Sequence, residues 1–498
     1  RDRLRSRGLG DVYKRQALMW QPVLMINGYL ISVLGLAMLI PAFLDMYWTR
    51  AGWSHFLSSS IICLFIGLSL FLANRMNIKK ITLQQGYLIT VCGWVSLTLL
   101  GTLPFLLYGS IPHFADALFE TMSGLSTTGA TILPDVEIMP KAILLWRSIL
   151  SSLGGLGIVM FAVAMLPFLG IGGMQIFQRE NSDIDDKFMP KFNYIAKRIM
   201  LVYILLTAAC TVSLYGVGMS WFDAANHAMS AIATCGLGIK NASVGFYDSV
   251  SVEVVLSLFM VLGALPMTFY IMLVQNQDLH SFRTQQVITF LKVLAVYILF
   301  TSCWLVFEGV YGFWEALRYS SFNIISIVTT TGFASTDYMQ WGAFAGTLFI
   351  IFALTGGCTG STSGSIKIFR WQVILAFLRK SLTIATDPNR VLPIKVGSLT
   401  VSNAVVSSVF VFFAGYMLSI AALSVLVALS GLSFETAFSA VIACITNSGP
   451  GVGPIVGPAG NFSSLPDAAK YVLAFAMLLG RLEVVTILVV FTKNFWRK

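Results

Sequence analysis

The chain has 498 residues, of which 57% are hydrophobic and only 11% charged, with a net charge of +10. A soluble domain carries about 25% charged residues, so a chain this apolar cannot cover its own surface with polar groups and takes lipid as its solvent. The positive balance does not point to nucleic acid, because the basic residues fall in short loops between apolar runs, and the seven cysteines (63, 92, 210, 235, 303, 358 and 444) form no CxxC pair and no metal-ligand spacing.

Residues 1–16 are basic, lack an initiator Met and precede a segment with the look of a natural start, Ala17-Leu-Met-Trp-Gln-Pro; we expect them to be a non-native leader. A spanning helix needs about 20 apolar residues. Ten segments qualify, near 23–44, 56–74, 87–108, 142–166, 199–217, 252–275, 286–307, 342–378 (interrupted), 402–429 and 469–492. Four shorter apolar stretches, near 114–127, 221–234, 315–329 and 434–446, cannot cross and read as re-entrant segments.

Lys and Arg in short loops set orientation. One side holds Arg75, Lys79 and Lys80; Arg179, Lys187, Lys191, Lys197 and Arg198; Arg283 and Lys292; Arg370, Arg379, Lys380, Arg390 and Lys395; and Lys493, Arg497 and Lys498. The other holds few, Arg50, Lys141, Lys240 and Arg318. The first side is expected to be cytoplasmic, with both termini there and all four re-entrant stretches outside. The outer side also carries Asp116, Glu120, Asp135, Glu137, Asp223, Asp248, Glu308, Glu315, Asp337 and Glu435. Such acids could form a vestibule that concentrates cations, or an ordinary solvated face.

Each re-entrant stretch ends in a related small-residue signature: Met122-Ser-Gly-Leu-Ser-Thr-Thr-Gly129, Met229-Ser-Ala-Ile-Ala-Thr-Cys-Gly236, Ile325-Ser-Ile-Val-Thr-Thr-Thr-Gly332 and Val441-Ile-Ala-Cys-Ile-Thr-Asn-Ser-Gly449. The final glycines stand 107, 96 and 117 residues apart, and each signature lies between two spans. The unit is therefore span, short helix, Gly-turn, span, repeated four times. A dehydrated K⁺ needs oxygen ligands, which backbone carbonyls can supply. Aiming carbonyls at a pore demands backbone angles that Gly adopts at little cost. Irregular backbone at membrane depth is tolerated only where protein or a water-filled cavity surrounds it. The short helix can aim the negative end of its dipole at the ion. The expected filter residues are Thr127, Thr128 and Gly129; Thr234, Cys235 and Gly236; Thr330, Thr331 and Gly332; and Asn447, Ser448 and Gly449.

Phe119-Glu-Thr-Met-Ser-Gly-Leu-Ser-Thr-Thr-Gly-Ala-Thr, Ser152-Leu-Gly-Gly-Leu-Gly-Ile, Phe322-Asn-Ile-Ile-Ser-Ile-Val-Thr-Thr-Thr-Gly-Phe-Ala and Leu478-Leu-Gly-Arg-Leu-Glu resemble segments of the Trk/Ktr/HKT superfamily of K⁺ transporters. The two extra N-terminal spans make the chain similar to the TrkH-type membrane subunit of bacterial Trk systems rather than to the shorter KtrB branch. The resemblance implies K⁺ uptake across the bacterial inner membrane, a homodimer with one pore per subunit, and regulation by a cytosolic TrkA-like nucleotide-binding subunit. Two signatures depart from the family pattern: Cys235 precedes Gly236 where Gly or Thr is common, and Thr446-Asn-Ser-Gly-Pro-Gly is the least channel-like.

The span 342–378 is interrupted by Thr355-Gly-Gly-Cys-Thr-Gly-Ser-Thr-Ser-Gly-Ser365, which holds four Gly, six Ser or Thr and one Cys. Gly is unfavourable inside a helix by about 1 kcal/mol, and Ser and Thr compete for its backbone bonds. A helix broken beneath the filter is expected, with Gly356, Gly357, Gly360, Gly364 and Lys367 in or beside the break; the family's intramembrane gating loop occupies this place. Lys367 follows no Walker pattern, so a phosphate-binding loop is a weak rival; its ammonium could equally snorkel to the cytoplasmic end. Arg481 interrupts the last span, and such a residue usually faces a cavity or partner; the resemblance implies a pore-facing role near the loop. Ser152-Leu-Gly-Gly-Leu-Gly157 reads as close helix packing, without a ligand role.

The expected fold is an all-α integral membrane protein, with four span–pore-helix–span repeats around one pore and two extra N-terminal spans. The expected units are a leader (1–16), an N-terminal pair (17–80), and repeats at 81–180, 181–280, 281–395 (containing the 355–365 loop) and 396–498. A coupled secondary transporter would show inverted repeats and midplane charges, and an enzyme would show paired carboxylates, a Ser/His/Asp set or a metal cluster. The repeats here run parallel, with each signature on the outer side, and the spans hold none of the enzyme sets; no organic cofactor is expected in this chain.

Overall fold

The structure is a computed structural model that describes residues 20–48, 52–76, 81–169, 188–276, 285–390, 392–397 and 399–496. The expected leader lies outside the described residues, as do Arg50, Lys79, Lys80, Arg179, Lys187, Arg283, Arg497 and Lys498 of the orientation argument.

Among the described residues the regular structure is helical, apart from a small antiparallel hairpin that pairs Lys395–Val396 with Leu399–Thr400. Two helices, Gln21–Trp48 and Trp53–Ala73, open the described chain as a tight pair. Small residues form their seam: a Cβ on Gly28 would come within 2.6 Å of the Phe71 amide nitrogen. Ser60 donates across the same seam to the Gly35 carbonyl at 2.7 Å. Close backbone approach of this kind replaces the hydrophobic drive that is lost in lipid. The outward faces, with Phe43, Tyr47, Phe65 and Leu72, are exposed and apolar, as lipid contact requires.

Four units of similar plan follow. The first has Leu83–Gly101 continued by Leu103–Tyr108, the short helix Phe114–Leu125, and Lys141–Leu169. The second has Phe188–Gly216, Trp221–Ile232 and Val250–Ala264 followed by Met267–Asn276. The third has Gln285–Phe307, Phe313–Val328, and Ala343–Thr355 followed by Ile368–Thr386. The fourth has Asn403–Ala428, Phe434–Ile445, and Asp467–Arg481 followed by Val484–Val490. The four short pore helices stand at the expected places; Ala117, Phe119, Ala228, Phe322, Ala437 and Val441 are buried in one continuous core.

Among the described residues, seven helices are long and apolar enough to cross a membrane, and two bent pairs raise this to nine. Two expected straight spans are therefore corrected. The segment near 252–275 turns by 90° between Ala264 and Met267. Pro266 has no N–H to donate and pushes the residue before it out of the helical region, and Leu265 is extended at ψ 154°. The segment near 469–492 turns by 108°, at Glu483, whose φ is +59°. The eighth expected span, 342–378, is divided by the 355–365 loop, as its composition suggested.

Two of the three glycines of Ser152–Gly157, Gly154 and Gly155, pack closely, while a Cβ on Gly157 would meet open space. A Cβ on Gly154 would collide with the Leu125 carbonyl at the end of the first pore helix, and one on Gly155 would lie 3.0 Å from Ala233 of the second. Gly263 and Gly480 meet the ends of the second and fourth pore helices, at the Ile232 and Ile445 carbonyls. The long helices thus seat the short ones by removing side chains.

Candidate functional site

Each pore helix ends inside its signature, four residues before the glycine, and all four chains leave it by the same backbone route. The amides of Thr128, Cys235, Thr331 and Ser448 donate to the carbonyls of Ser123, Ser230, Ser326 and Ala443 at 2.8, 2.9, 2.8 and 3.1 Å. The residues two before each glycine, Thr127, Thr234, Thr330 and Asn447, are all left-handed, with φ of 53, 52, 59 and 55°. The glycines follow at φ 83, 78, 92 and 86°. Non-glycine residues rarely hold this conformation, so its fourfold recurrence is a property of the repeat.

The loops close into a ring. A Cβ on Gly129 would strike the Cys235 carbonyl, one on Gly236 the Thr331 carbonyl, one on Gly332 the Ser448 carbonyl, and one on Gly449 the Thr128 carbonyl. First meets second, second meets third, third meets fourth and fourth meets first. Glycine is required here for space as well as for backbone freedom. All twelve expected filter residues are brought together by this ring. Their Thr, Cys, Asn and Ser side chains are wholly buried. Asn447 also donates to Thr128 Oγ1 and to the Met477 carbonyl, both at 3.0 Å, so the least channel-like signature stitches the ring to its neighbours.

The acids of the expected vestibule are mostly committed elsewhere. Asp116, Asp223, Glu315 and Glu435 each lie in the first turn of a pore helix, where the helix dipole favours a negative charge. Asp116 also pairs with Lys470 at 2.5 Å, and Asp248 joins Glu253 around Arg318. Glu120 is not at the surface: it is 1% exposed and bonds Arg147 Nε at 2.7 Å. Arg147, which interrupts the apolar run 142–166, is the residue that sequence reasoning passed over. Like Arg481, it is a charge inside an apolar span, which needs a cavity or a partner.

The 355–365 loop lies directly against the ring. The Gly364 amide donates to Thr330 Oγ1 at 2.7 Å. Thr362 Oγ1 meets Thr234 Oγ1 at 3.3 Å and donates to the Ile232 carbonyl at 2.9 Å. The bend at 264–267 supplies its other partners: Cys358 N–H donates to the Ala264 carbonyl and Met267 N–H to the Gly360 carbonyl, each at 3.0 Å. Gly356 and Gly360 are left-handed, and Gly357 and Gly364 sit where a Cβ would press on Ser363 and the Thr446 carbonyl.

Arg481 is buried and donates Nη1 to the Thr362 carbonyl at 2.8 Å; its Nε and Nη2 have no partner among the described residues. Lys367 caps the helix Ile368–Thr386 with φ +70°. It is half-buried, within electrostatic reach of Glu483, Arg370 and Arg481. Glu483, freed by the bend, bonds Arg370 Nη2 at 2.7 Å. Arg370 also lies 3.8 Å from the Phe412 ring centre. It is therefore a buried, paired side chain, not one of the solvated loop charges with which it was grouped.

A ring of backbone carbonyls sunk among apolar helices suits passage of a weakly held cation, and among the described residues no cluster of His, Cys, Asp or Glu competes for that role. The class defined is a multi-pass membrane cation transporter. The model of the TrkH family, described as a cation transport protein, matches residues 53–498, and the chain belongs to that family.

The chain is 38% identical over 495 residues to the Trk system potassium uptake protein TrkI of Halomonas elongata, covering 99% of each. It is 33% identical over 479 residues to the Trk system potassium uptake protein TrkH of Escherichia coli, covering 95% of this chain and 98% of that one. Its structure is similar to the crystal structure of the potassium transporter TrkH from Vibrio parahaemolyticus, with a TM-score of 0.89, 32% identity and coverage of 96% of this chain and 100% of that one.

Proposed function

We propose that this chain carries K⁺ into bacterial cells across the inner membrane, through one pore whose filter is the four-loop ring. The observation that carries the reading is the ring itself: four left-handed Gly-turns, each in contact with the next repeat's carbonyl. Carbonyl dipoles take the place of the ion's water. The pore helices end at these loops, so their negative ends favour a cation there. No carboxylate stands among the twelve filter residues, which keeps binding weak enough for release.

We read the 355–365 loop as the gate in its closed position. It is held by hydrogen bonds to Thr330, Thr234 and the bend at Ala264, and by Arg481. The Arg481 charge adds a barrier for cations while the loop is in place. The pore helices face outward and both termini face the cytoplasm, as the loop charges favour. Two copies form a homodimer, and a TrkA-like nucleotide-binding subunit controls the loop from the cytosol. The repeat boundaries at 81–180, 181–280, 281–395 and 396–498 are part of the same proposal, supported by one pore helix and one Gly-turn in each.

Radioactive Rb⁺ uptake into proteoliposomes holding the purified chain, with competition by K⁺, Na⁺ and Li⁺, tests the reading. Uptake blocked by K⁺ far better than by Na⁺ is expected. Uptake that K⁺ and Na⁺ block equally, in the chain with the loop shortened, would contradict it.

A further inference from the structure

We propose that Arg147, gripped by Glu120, is a positioning residue for the second filter loop, and that discrimination between K⁺ and Na⁺ depends on it. The proposal rests on the reading of the ring as the K⁺ path.

The four loops share a backbone but not their supports. Consider first the amide three residues after each filter glycine, where the chain leaves the ring. In the first repeat Ile132 N–H donates to Glu120 Oε2 at 3.0 Å. In the third, Ser335 N–H donates to Asn323 Oδ1 at 3.3 Å, and Asn323 Nδ2 donates to Ser335 Oγ at 2.9 Å. In the fourth, Val452 N–H donates to Ser439 Oγ. A pore-helix side chain ties the exit each time. Glu120 and Asn323 occupy the position nine residues before the glycine; in the second repeat that position is His227. His227 bonds its own helix, Nδ1 to the Asp223 carbonyl at 2.8 Å. Its Nε2 has no partner, and no side chain tie to Ile239 N–H exists among the described residues.

A second support is missing in the same place. Hydroxyls three and one residues before the glycine clasp each other in three loops: Ser126 with Thr128 at 2.7 Å, Thr329 with Thr331 at 2.8 Å, and Thr446 with Ser448 at 2.8 Å. The second loop has Ala233 and Cys235 at these positions. In place of a hydroxyl clasp, the Cys235 thiol reaches the Gly124 carbonyl at 4.0 Å and the Leu237 backbone.

What the second loop lacks within itself is supplied from the first repeat. Arg147 Nη1 donates to the Gly238 carbonyl at 3.0 Å, two residues past Gly236. Its Nε is fixed by Glu120 at 2.7 Å and its Nη2 by Thr131 Oγ1 at 3.2 Å. Thr131 in turn donates to Glu120. A buried ion pair is weak evidence for stability. Its geometric use is stronger: the planar fork holds three acceptors at set angles, so the place of Glu120 dictates the place of the Gly238 carbonyl. Farther along, Asn241 also ties this segment to Asp135, Val136 and Glu137 of the first repeat, while the support at the loop's start, Thr362 on Ile232 and Thr234, belongs to the gate. When the gate leaves, Arg147 remains.

The test measures Rb⁺ uptake by the full chain in proteoliposomes, as the ratio of K⁺ to Na⁺ competition. Arg147→Gln and Glu120→Gln should each lower that ratio about tenfold, the scale of a lost charge-assisted bond. Arg147→Lys should lower it too, because an ammonium cannot hold the same three acceptors; it decides the matter if Arg147→Gln does not assemble. Adding Ala233→Thr with Cys235→Thr restores the internal clasp and should recover most of the ratio in the Arg147→Lys background. A general packing defect would not respond to hydroxyls placed in the second loop. A ratio within about twofold of the parent in Arg147→Lys, or a loss that the added hydroxyls leave untouched, overturns the proposal while the K⁺ reading stands. A parent chain with no preference for K⁺ overturns both.

Discussion

The ring and the loop beneath it are both irregular backbone at membrane depth, yet they are held in opposite ways. In the ring, each left-handed turn is bonded back to its own pore helix, and the pattern occurs four times. The 355–365 loop occurs once and borrows its partners from elsewhere: Thr330 and Thr234 in the ring, Ala264 at a bend, and Arg481 on another helix. A structure bonded to itself persists; a structure bonded to its surroundings can leave them together. On the function proposed above, the same membrane constraint, that no backbone group goes unpaired, serves both a fixed filter and a removable plug.

Substitutions at the two regions should therefore act in opposite directions. The largest effect is expected at the ring. Gly332→Ser places a side chain against the Ser448 carbonyl at φ +92°, and uptake of Rb⁺ should fall by about a hundredfold or more, since steric displacement adds to a left-handed penalty of about 1–2 kcal/mol. Normal uptake would break the idea of a fixed filter. Shortening the 355–365 loop should do the reverse and raise leak by about a hundredfold, because several bonds of about 1 kcal/mol each are lost together; patch recordings or proteoliposome leak would show it. Arg481→Gln removes one charged donor to Thr362 and should raise leak about tenfold. Thr362→Val, which keeps the shape and removes the hydroxyl, should raise it by about fivefold at most. A leak that falls in either variant would contradict the loop as a plug.

Much of this was legible in the sequence because the repeat carried it. Four small-residue signatures between apolar runs placed the pore helices within a few residues, and the Gly- and Ser-rich interruption placed the break at 355–365. The two bends were not read. Leu265-Pro266 was a visible signal in an apolar run; Glu483 was not, since nothing local forecasts a left-handed glutamate. The Glu120–Arg147 pair was missed for another reason. A carboxylate beside an apolar stretch looks like a rim residue until its partner is found 27 residues away, and no period links the two. Arg370 was counted as a solvated charge for the same reason, its partner Glu483 lying 113 residues on. Backbone repeats leave a periodic trace; side chains that cross between repeats do not.

The central claim is that the four Gly-turns form one cation site on a common axis. Crystals of the protein soaked in Rb⁺ or Tl⁺ would locate that site by anomalous scattering. The account predicts a peak enclosed by the carbonyls of Thr128, Cys235, Thr331 and Ser448. A peak held instead by the acidic side chains of the pore-helix N-termini, with none inside the ring, would contradict it.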